Sequence, residues 1–225
     1  MASFEQHVNG AVIASGLAVI PLYSASIVDI NQTLALFSLG ILGGVLPDVD
    51  SDNSKPIQIS FRILSIFLPL IAILTTVNIS AISNILLMWV IYSLVLHFGV
   101  FQLFLASTHH RGIFHSIPMG GLMALLLLYL FHEILGFDSG FSILSGIFLF
   151  FGFLIHLLLD EVVSLNLLGK DIKKSFGSAM KIYDKNNLIG TFILYAGIAG
   201  LLFVLRDMDV SIFAKLTTLL KEIKY

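Results

Sequence analysis

Side chains of the kind that bind metal ions occur at a few points of a chain that otherwise carries little charge. Of its 225 residues, 12% are charged and 7 are histidines. Cysteine is absent, so a metal ion would have to be held by imidazole, carboxylate or backbone oxygen. The candidate ligands lie where apolar stretches end: His7, Asp48, Asp50, His110, His115, His156 and Asp160.

The most specific motif runs from Thr108 to Ser116 and contains three histidines within seven residues. Imidazoles of His110 and His115 can bind a metal ion, and the guanidinium of Arg111 between them offers a planar fork for phosphate. Ser116 is placed to cap the next helix, whose N-terminus would add amides to an anion site. The alternative is a loop at the membrane surface, which explains an arginine but not the three histidines. We predict metal ligation by both histidines and a catalytic role for Arg111.

Two shorter motifs supply carboxylates. His156 and Asp160 are four residues apart, so on a helix they share one face and could bind one metal or act as ligand and orienting partner. Asp48 and Asp50 follow Pro47, which disfavours continued helix, and such a carboxylate pair can bridge two cations. Taken singly, each pair also fits a plainer interpretation, a buried histidine beside a helix-end carboxylate and a solvated acidic turn. We predict that Asp48 and Asp160 are catalytic as well as metal ligands.

The composition indicates an integral membrane protein. Hydrophobic residues make up 57% of the chain and the mean hydropathy is +0.99, whereas soluble domains have about 25% charged residues. Apolar stretches recur along the chain and leave no segment for a separate soluble domain. We predict an all-α, polytopic membrane helix bundle of about six to seven transmembrane or membrane-embedded helices, as one domain over residues 1–225. The expected spans are 8–23, 34–47, 59–77, 82–106, 116–135, 141–160 and 188–206.

Lysine and arginine predict the orientation of these spans. Five lysines between residues 170 and 185 mark the cytoplasmic side. Loops without Lys or Arg fall on the other side, near 24–33, 78–81 and 136–140. This topology puts every predicted ligand at the cytoplasmic face, and His132 toward the opposite one. The C-terminus is the exception, because it falls outside despite three lysines after residue 214; a surface helix near 210–220 would remove that conflict.

Small residues predict how the first two spans pack. Gly40 and Gly44 are four residues apart in the second span, as are Gly10, Ala14 and Ala18 in the first. Small side chains at this spacing allow helix backbones to approach closely. We expect the two helices to pack through these positions.

Taken together and in order, four motifs resemble the YdjM-like family, LexA-regulated or related bacterial inner-membrane proteins described as candidate metal-dependent hydrolases. The motifs are His7, the LPDVDS run from Leu46, the HRGIFHS run from His110 and the HLLLD run from His156. The resemblance implies a helical fold in the bacterial inner membrane and a distant similarity to zinc-dependent phospholipase C and S1/P1-type nucleases. It implies these ligands or catalytic groups, with Arg111 as a site residue: His7, Asp48, Asp50, His110, His115, His156 and Asp160.

This chain departs from the family pattern at two places. His109 stands where the family usually has Gly, and the family's Thr-Pro and Gly after the final Asp are absent from that register beyond Asp160. The second departure bears on how segment 161–187 closes over the site, and therefore on the substrate.

The leading hypothesis is a membrane-embedded hydrolase that uses a divalent metal, zinc first and manganese second, to activate water against a phosphoester. A site at the level of the inner headgroups favours a membrane lipid or a lipid-linked phosphoester as substrate. The net charge of −2 does not indicate a nucleic-acid partner. One alternative is a proton- or ion-coupled transporter, which would need ionisable residues within the bilayer, such as His97. The other is a non-catalytic scaffold stabilised by metal.

Overall fold

The described part of the chain is helical, as predicted. A computed structural model describes residues 2–50, 82–94, 113–164 and 180–222. Within these ranges the α-helices are α1 (Phe4–Ser24), α2 (Ile30–Val45), α3 (Ile82–Leu94), α4 (Ile117–Tyr129), α5 (Ser139–Ser164), α6 (Leu188–Val204) and α7 (Ile212–Glu222). Short 3-10 or π segments extend three of them, at Leu46–Asp50, Leu130–Ile134 and Leu205–Asp207.

Five helices in the described ranges are long and apolar enough to cross a membrane. They cover Phe4–Ser24, Ile30–Asp48, Ile117–Ile134, Ser139–Ser164 and Leu188–Asp207. These correspond to five of the predicted spans, which confirms a polytopic helical membrane protein. The predicted span 59–77 lies outside the described residues, and of the span 82–106 only α3 is described.

The chain forms two compact units. One comprises residues 48–110, of which α3 and the short segment 48–50 are described. The other comprises residues 1–47 and 111–225. In this larger unit α5 is the central helix and packs against α1, α2 and α4, while α6 packs on α4. The prediction of one domain over residues 1–225 stays a prediction.

The closest helix contact in the larger unit joins α2 to α5 through glycines. A Cβ atom added at Gly152 would lie 2.9 Å from the backbone carbon of Gly40 and 2.9 Å from the nitrogen of Gly44. A Cβ at Gly43 would similarly meet the backbone of Leu149, 2.9 Å from its carbonyl carbon. Only glycine permits this approach, because any other residue places a carbon where the neighbouring backbone lies.

Helix α1 packs on α2 through a face one residue away from the predicted one. A Cβ at Gly44 would meet Ala11, and one at Gly40 would meet Ser15, so the second-span glycines are used as expected. The buried face of α1 consists of His7, Ala11, Ser15, Val19 and Leu22, not of Gly10, Ala14 and Ala18. Gly10 faces α5 instead, where an added Cβ would meet Leu159. The positions of small side chains therefore predicted the wrong face of α1, because this helix packs against both α2 and α5.

The order of these contacts brings particular helix ends together. The first turns of α1, the C-terminal end of α2, the start of α4 and the C-terminal turns of α5 lie at one end of the larger unit. At the other end is an apolar core of buried residues: Val19, Leu22, Val28, Leu36, Phe141, Ile143, Leu144, Phe148 and Ile212. Ile212 belongs to α7, so the predicted helix near 210–220 exists and docks at this second end.

Candidate metal site

Helix α5 presents His156 and Asp160 toward the interior of the larger unit. Both lie on its buried face, with 0% and 5% of their surfaces exposed. The four-residue spacing does place imidazole and carboxylate one turn apart on one face, as predicted. Charged and polar groups are rarely buried so completely unless they are paired or bind a metal.

The first turns of α1 bring His7 onto this face. Ser3 caps the helix by accepting a hydrogen bond from the Gln6 amide, and the Gln6 side chain bonds back to the Ser3 amide. His7 follows and is 1% exposed. Its ring stacks on that of His156 with centroids 3.6 Å apart and planes at 11°, and its Nε2 lies 3.4 Å from Oδ1 of Asp160.

A hydrogen bond to the end of α2 determines the tautomer of His156. Its Nδ1 lies 2.8 Å from the carbonyl oxygen of Gly44. Since a carbonyl can only accept, Nδ1 carries the proton, and in the neutral ring the lone pair resides on Nε2. A histidine that binds a metal commonly donates its other ring N–H to a carbonyl in this way. The arrangement therefore suits metal ligation through Nε2 of His156.

His115 approaches the same carboxylate from the start of α4. Ser116 caps that helix by accepting from the Met119 amide, as predicted, and its hydroxyl donates to the carbonyl of Ile113. The preceding His115 is 2% exposed. Its Nε2 lies 4.0 Å from Oδ2 of Asp160, and its ring is 5.6 Å from that of His156, edge on.

The donor set fits a divalent cation. His7, His156 and Asp160 each offer one ligand atom, and these atoms all lie within 4.8 Å of one another. Nδ1 of His7 is buried and has no hydrogen-bond partner among the described residues. Two imidazoles and one carboxylate are a usual protein donor set for zinc and are also acceptable to manganese. The chain thus contains a buried His/Asp cluster, His7, His115, His156 and Asp160, that could bind a metal.

The other four predicted site residues are not assigned to this cluster. His110 and Arg111 lie outside the described residues. Asp48 is the first residue of the unit 48–110, and of Asp50 only the backbone is described. Their roles as ligands or catalytic groups, like those of the cluster residues, stay predictions. His132, expected outside the site, lies at the other end of the larger unit, where its Nδ1 donates to the carbonyl of Phe137.

Two backbone groups at the cluster escaped the sequence analysis. One is the carbonyl of Gly44, and the other is the amide of Ala2, which donates to Oδ1 of Asp160 at 2.8 Å. The first has a signal in the sequence, because Pro47 has no N–H and so removes a helical donor for the carbonyls three and four residues before it. The second has none, since any residue at position 2 except proline could provide it.

Comparison with known proteins identifies the family of the chain. A family model described as YdjM inner membrane protein matches residues 1–167. The chain belongs to the YdjM inner membrane protein family. The match spans all four cluster residues, and together with the five apolar helices it identifies a multi-span protein of the inner membrane. No curated protein and no solved structure matches the chain at a significant level.

Membership in the YdjM family does not show on which side of the membrane the cluster lies. The four cluster residues lie at one end of the larger unit. This agrees with the topology predicted from lysine and arginine, which puts all predicted ligands at one membrane face. The cytoplasmic location of that end stays a prediction.

Proposed function

We propose that this YdjM-family protein is a metal-dependent hydrolase that cleaves a phosphoester in a membrane lipid or lipid-linked substrate. The observation that carries the proposal is the buried group of His7, His156 and Asp160, in which the Gly44 carbonyl orients the imidazole of His156. Burial of so many polar groups in an apolar bundle costs several kcal/mol in total unless they are satisfied. A bound cation would offset that cost, and membrane proteins keep such groups mainly for function.

The cluster residues have distinct tasks in this proposal. His156 binds the metal through Nε2, and His7 and Asp160 complete the ligand set or orient it, with His115 facing the second carboxylate oxygen. When bound, the ion would polarise a phosphoryl oxygen and activate water, which is what zinc and manganese supply in hydrolases. An aspartate that is not engaged as a ligand, Asp48 or Asp160, would act as general base.

Two features support a phosphoester at a membrane surface as the substrate. Arg111 is four residues before His115 in sequence, and a guanidinium group can bind phosphate through two parallel hydrogen bonds. Lys181, from the lysine-rich segment, is anchored beside the cluster, because its carbonyl accepts the amide of Ile117 at the start of α4. The ammonium of Lys181 pairs with Asp184 at 3.6 Å, but residues 170–185 carry five lysines against two aspartates, and such an excess of positive charge would attract anionic headgroups.

Metal analysis of purified protein tests the proposal directly. Wild type should contain zinc or manganese in a fixed ratio to protein, and His7→Ala and His156→Ala should lose it. His132→Ala is the matched control, because it removes an imidazole at the other end of the unit. The double variant His110→Ala, His115→Ala tests the loop ligands. If no metal binds to wild type, or if all variants retain it, the metal site is wrong.

Hydrolysis is tested separately in lipid nanodiscs. Wild type supplied with zinc or manganese should release phosphate or a phosphorylated headgroup from one class of phosphoester lipid. Asp160→Asn, which keeps the size of the side chain, should lower turnover by about 100-fold or more, since it removes either a ligand or the base. Equal turnover in both proteins would remove Asp160 from the catalytic site.

A non-catalytic scaffold with a structural metal is the second candidate, and the burial of the cluster favours it. The residues of the cluster are 0–5% exposed, whereas a catalytic metal site keeps one position open to substrate. The two functions differ in what a ligand substitution does. In a scaffold His7→Ala should unfold the protein, while in an enzyme it should abolish turnover with most of the fold intact.

A further inference from the structure

The amide of Ala2 makes a long-range contact that the proposed function does not use. It donates to Oδ1 of Asp160 at 2.8 Å, across 158 positions of the chain. The same oxygen lies 3.4 Å from Nε2 of His7. Segment 2–7 therefore touches one carboxylate oxygen at both of its ends, and we call these residues the N-terminal clamp.

The clamp has a physical basis in the start of α1. Ala2 lies one residue before the N-cap Ser3, next to a helix N-terminus that the aligned peptide dipoles make electropositive. A carboxylate from a different helix is therefore stabilised at this position. The reciprocal bonds between Ser3 and Gln6 fix where the helix begins, and with it the direction of the Ala2 N–H.

Holding Oδ1 determines what Oδ2 can do. With Oδ1 bound to the clamp, Oδ2 of Asp160 faces His115 at 4.0 Å. A carboxylate on a helix otherwise rotates about two side-chain bonds, and its two oxygens are equivalent. Hydrogen bonds from outside the ligand set commonly fix a ligating carboxylate, and their loss weakens metal binding by about 10- to 100-fold.

We propose that the N-terminal clamp presets the Asp160 carboxylate, with the backbone amide of Ala2 as a positioning group for the metal site. This inference rests on the proposed function in that the carboxylate serves a metal ion. The contacts of the clamp involve protein atoms alone, so it can be tested with and without the ion.

Substitution of residue 2 by proline removes the amide hydrogen that Oδ1 of Asp160 accepts. The matched control is Ala2→Gly, which keeps the N–H. All proteins carry the same N-terminal extension, verified by intact mass, so that residue 2 always has an amide nitrogen. Affinity for Zn²⁺ is measured by competition with a chromophoric chelator. We expect Ala2→Pro to bind Zn²⁺ about 10-fold or more weakly, with Ala2→Gly unchanged. Equal affinities in the two variants would overturn the proposal.

The metal-free protein supplies an independent readout. Carbethoxylation of His7 and His156, followed by mass spectrometry of their peptides, reports how firmly the cluster is held. We expect both to react faster in Ala2→Pro than in Ala2→Gly, and equal rates would again overturn the clamp. If wild type binds no Zn²⁺ but Ala2→Pro still loosens the histidines, the clamp stands and the proposed metal function fails.

A further measurement avoids changing residue 2. Deuterium exchange at the amides of segment 2–7 is compared between wild type and Asp160→Ala. Loss of the acceptor should speed exchange in this segment, while α6 should be unaffected. Unchanged exchange at residues 2–7 would show that Asp160 does not hold the clamp.

Discussion

Substitution of Gly152 by alanine tests the contact that brings α2 and α5 together. The added Cβ would lie 2.9 Å from both the Gly40 carbon and the Gly44 nitrogen, where ordinary contacts begin at 3.4 Å. The carbonyl oxygen of Gly40 would lie closer still, so the misfit exceeds the 0.5 Å between 2.9 and 3.4 Å, and all three atoms belong to the backbone. Helix α2 must therefore move as a whole, at a cost of about 1–3 kcal/mol for overpacking.

Gly121→Ala is the matched control for this prediction. It is also a helical glycine, but an added Cβ there meets no atom within 4 Å. Both substitutions gain the same helix propensity, about 1 kcal/mol, so their difference isolates the packing term. We expect Gly152→Ala to be less stable than Gly121→Ala by about 1–3 kcal/mol.

The assay is unfolding in mixed micelles of mild detergent and sodium dodecyl sulfate, followed by circular dichroism. Zn²⁺ affinity supplies a second readout, because the atoms pushed away include the backbone of Gly44, whose carbonyl orients His156. Gly152→Ala should bind Zn²⁺ more weakly than Gly121→Ala. If the two variants unfold at the same denaturant concentration, the backbone contact between α2 and α5 is wrong, and the orientation of His156 loses its explanation.

Three further predictions concern the cap of α4, the metal and the docking of α7. Ser116→Ala removes the N-cap next to the cluster and should cost about 1 kcal/mol in the same unfolding assay, whereas Ser38→Ala, at an exposed position of α2, should change stability by less than about 0.5 kcal/mol. Zn²⁺ at 100 times its Kd should stabilise wild type by about 2.7 kcal/mol and leave His156→Ala unchanged; equal stabilisation of both would place the ion elsewhere. Ile212→Ala should destabilise the docked α7 by about 2–5 kcal/mol, because Ile212 is 5% exposed, while the exposed Val210→Ala should have little effect. Equal stabilities of Ile212→Ala and Val210→Ala would contradict the docking of α7.

Hydropathy predicted the helices well for a simple reason. In hydrocarbon every backbone amide and carbonyl must be satisfied within the chain, so a long apolar stretch is a helix almost irrespective of its detailed sequence. The predicted spans and the described helices accordingly agree to within a few residues, as at 8–23 and Phe4–Ser24. Caps were also readable, since Ser116 followed by a proline in the first turn is a local signal.

The faces of the helices were less predictable than their existence. The spacing of small residues predicted a packing face on α1 at Gly10, Ala14 and Ala18, yet the buried face is displaced by one residue. Helix α1 packs on both α2 and α5, and small residues on either face can accommodate a neighbour. The sequence of one helix therefore does not show which of its faces packs against which neighbouring helix.

Among the predicted ligands, the sequence was most informative where spacing is local. His156 and Asp160 share a face because four residues make about one turn, and no tertiary information is needed for that. His7, by contrast, is weak evidence when taken alone. Its position at a span end and the family resemblance predicted it as a ligand, and its stacking on His156 shows that it reaches the cluster. The residue types and their placement at span ends indicated a site, and the family match supports the same protein class.

What the sequence determined by itself is therefore the membrane helices, the local caps, the pairing of His156 with Asp160 and the family. The tertiary structure showed that the predicted ligands His7 and His115 meet His156 and Asp160, and it added two backbone groups, the Gly44 carbonyl and the Ala2 amide. The physical reason is that periodicity and hydropathy act within one helix. Contacts between helices depend on close approach at glycines and on backbone groups. Because every residue has backbone groups, no sequence pattern distinguishes the ones that make contacts.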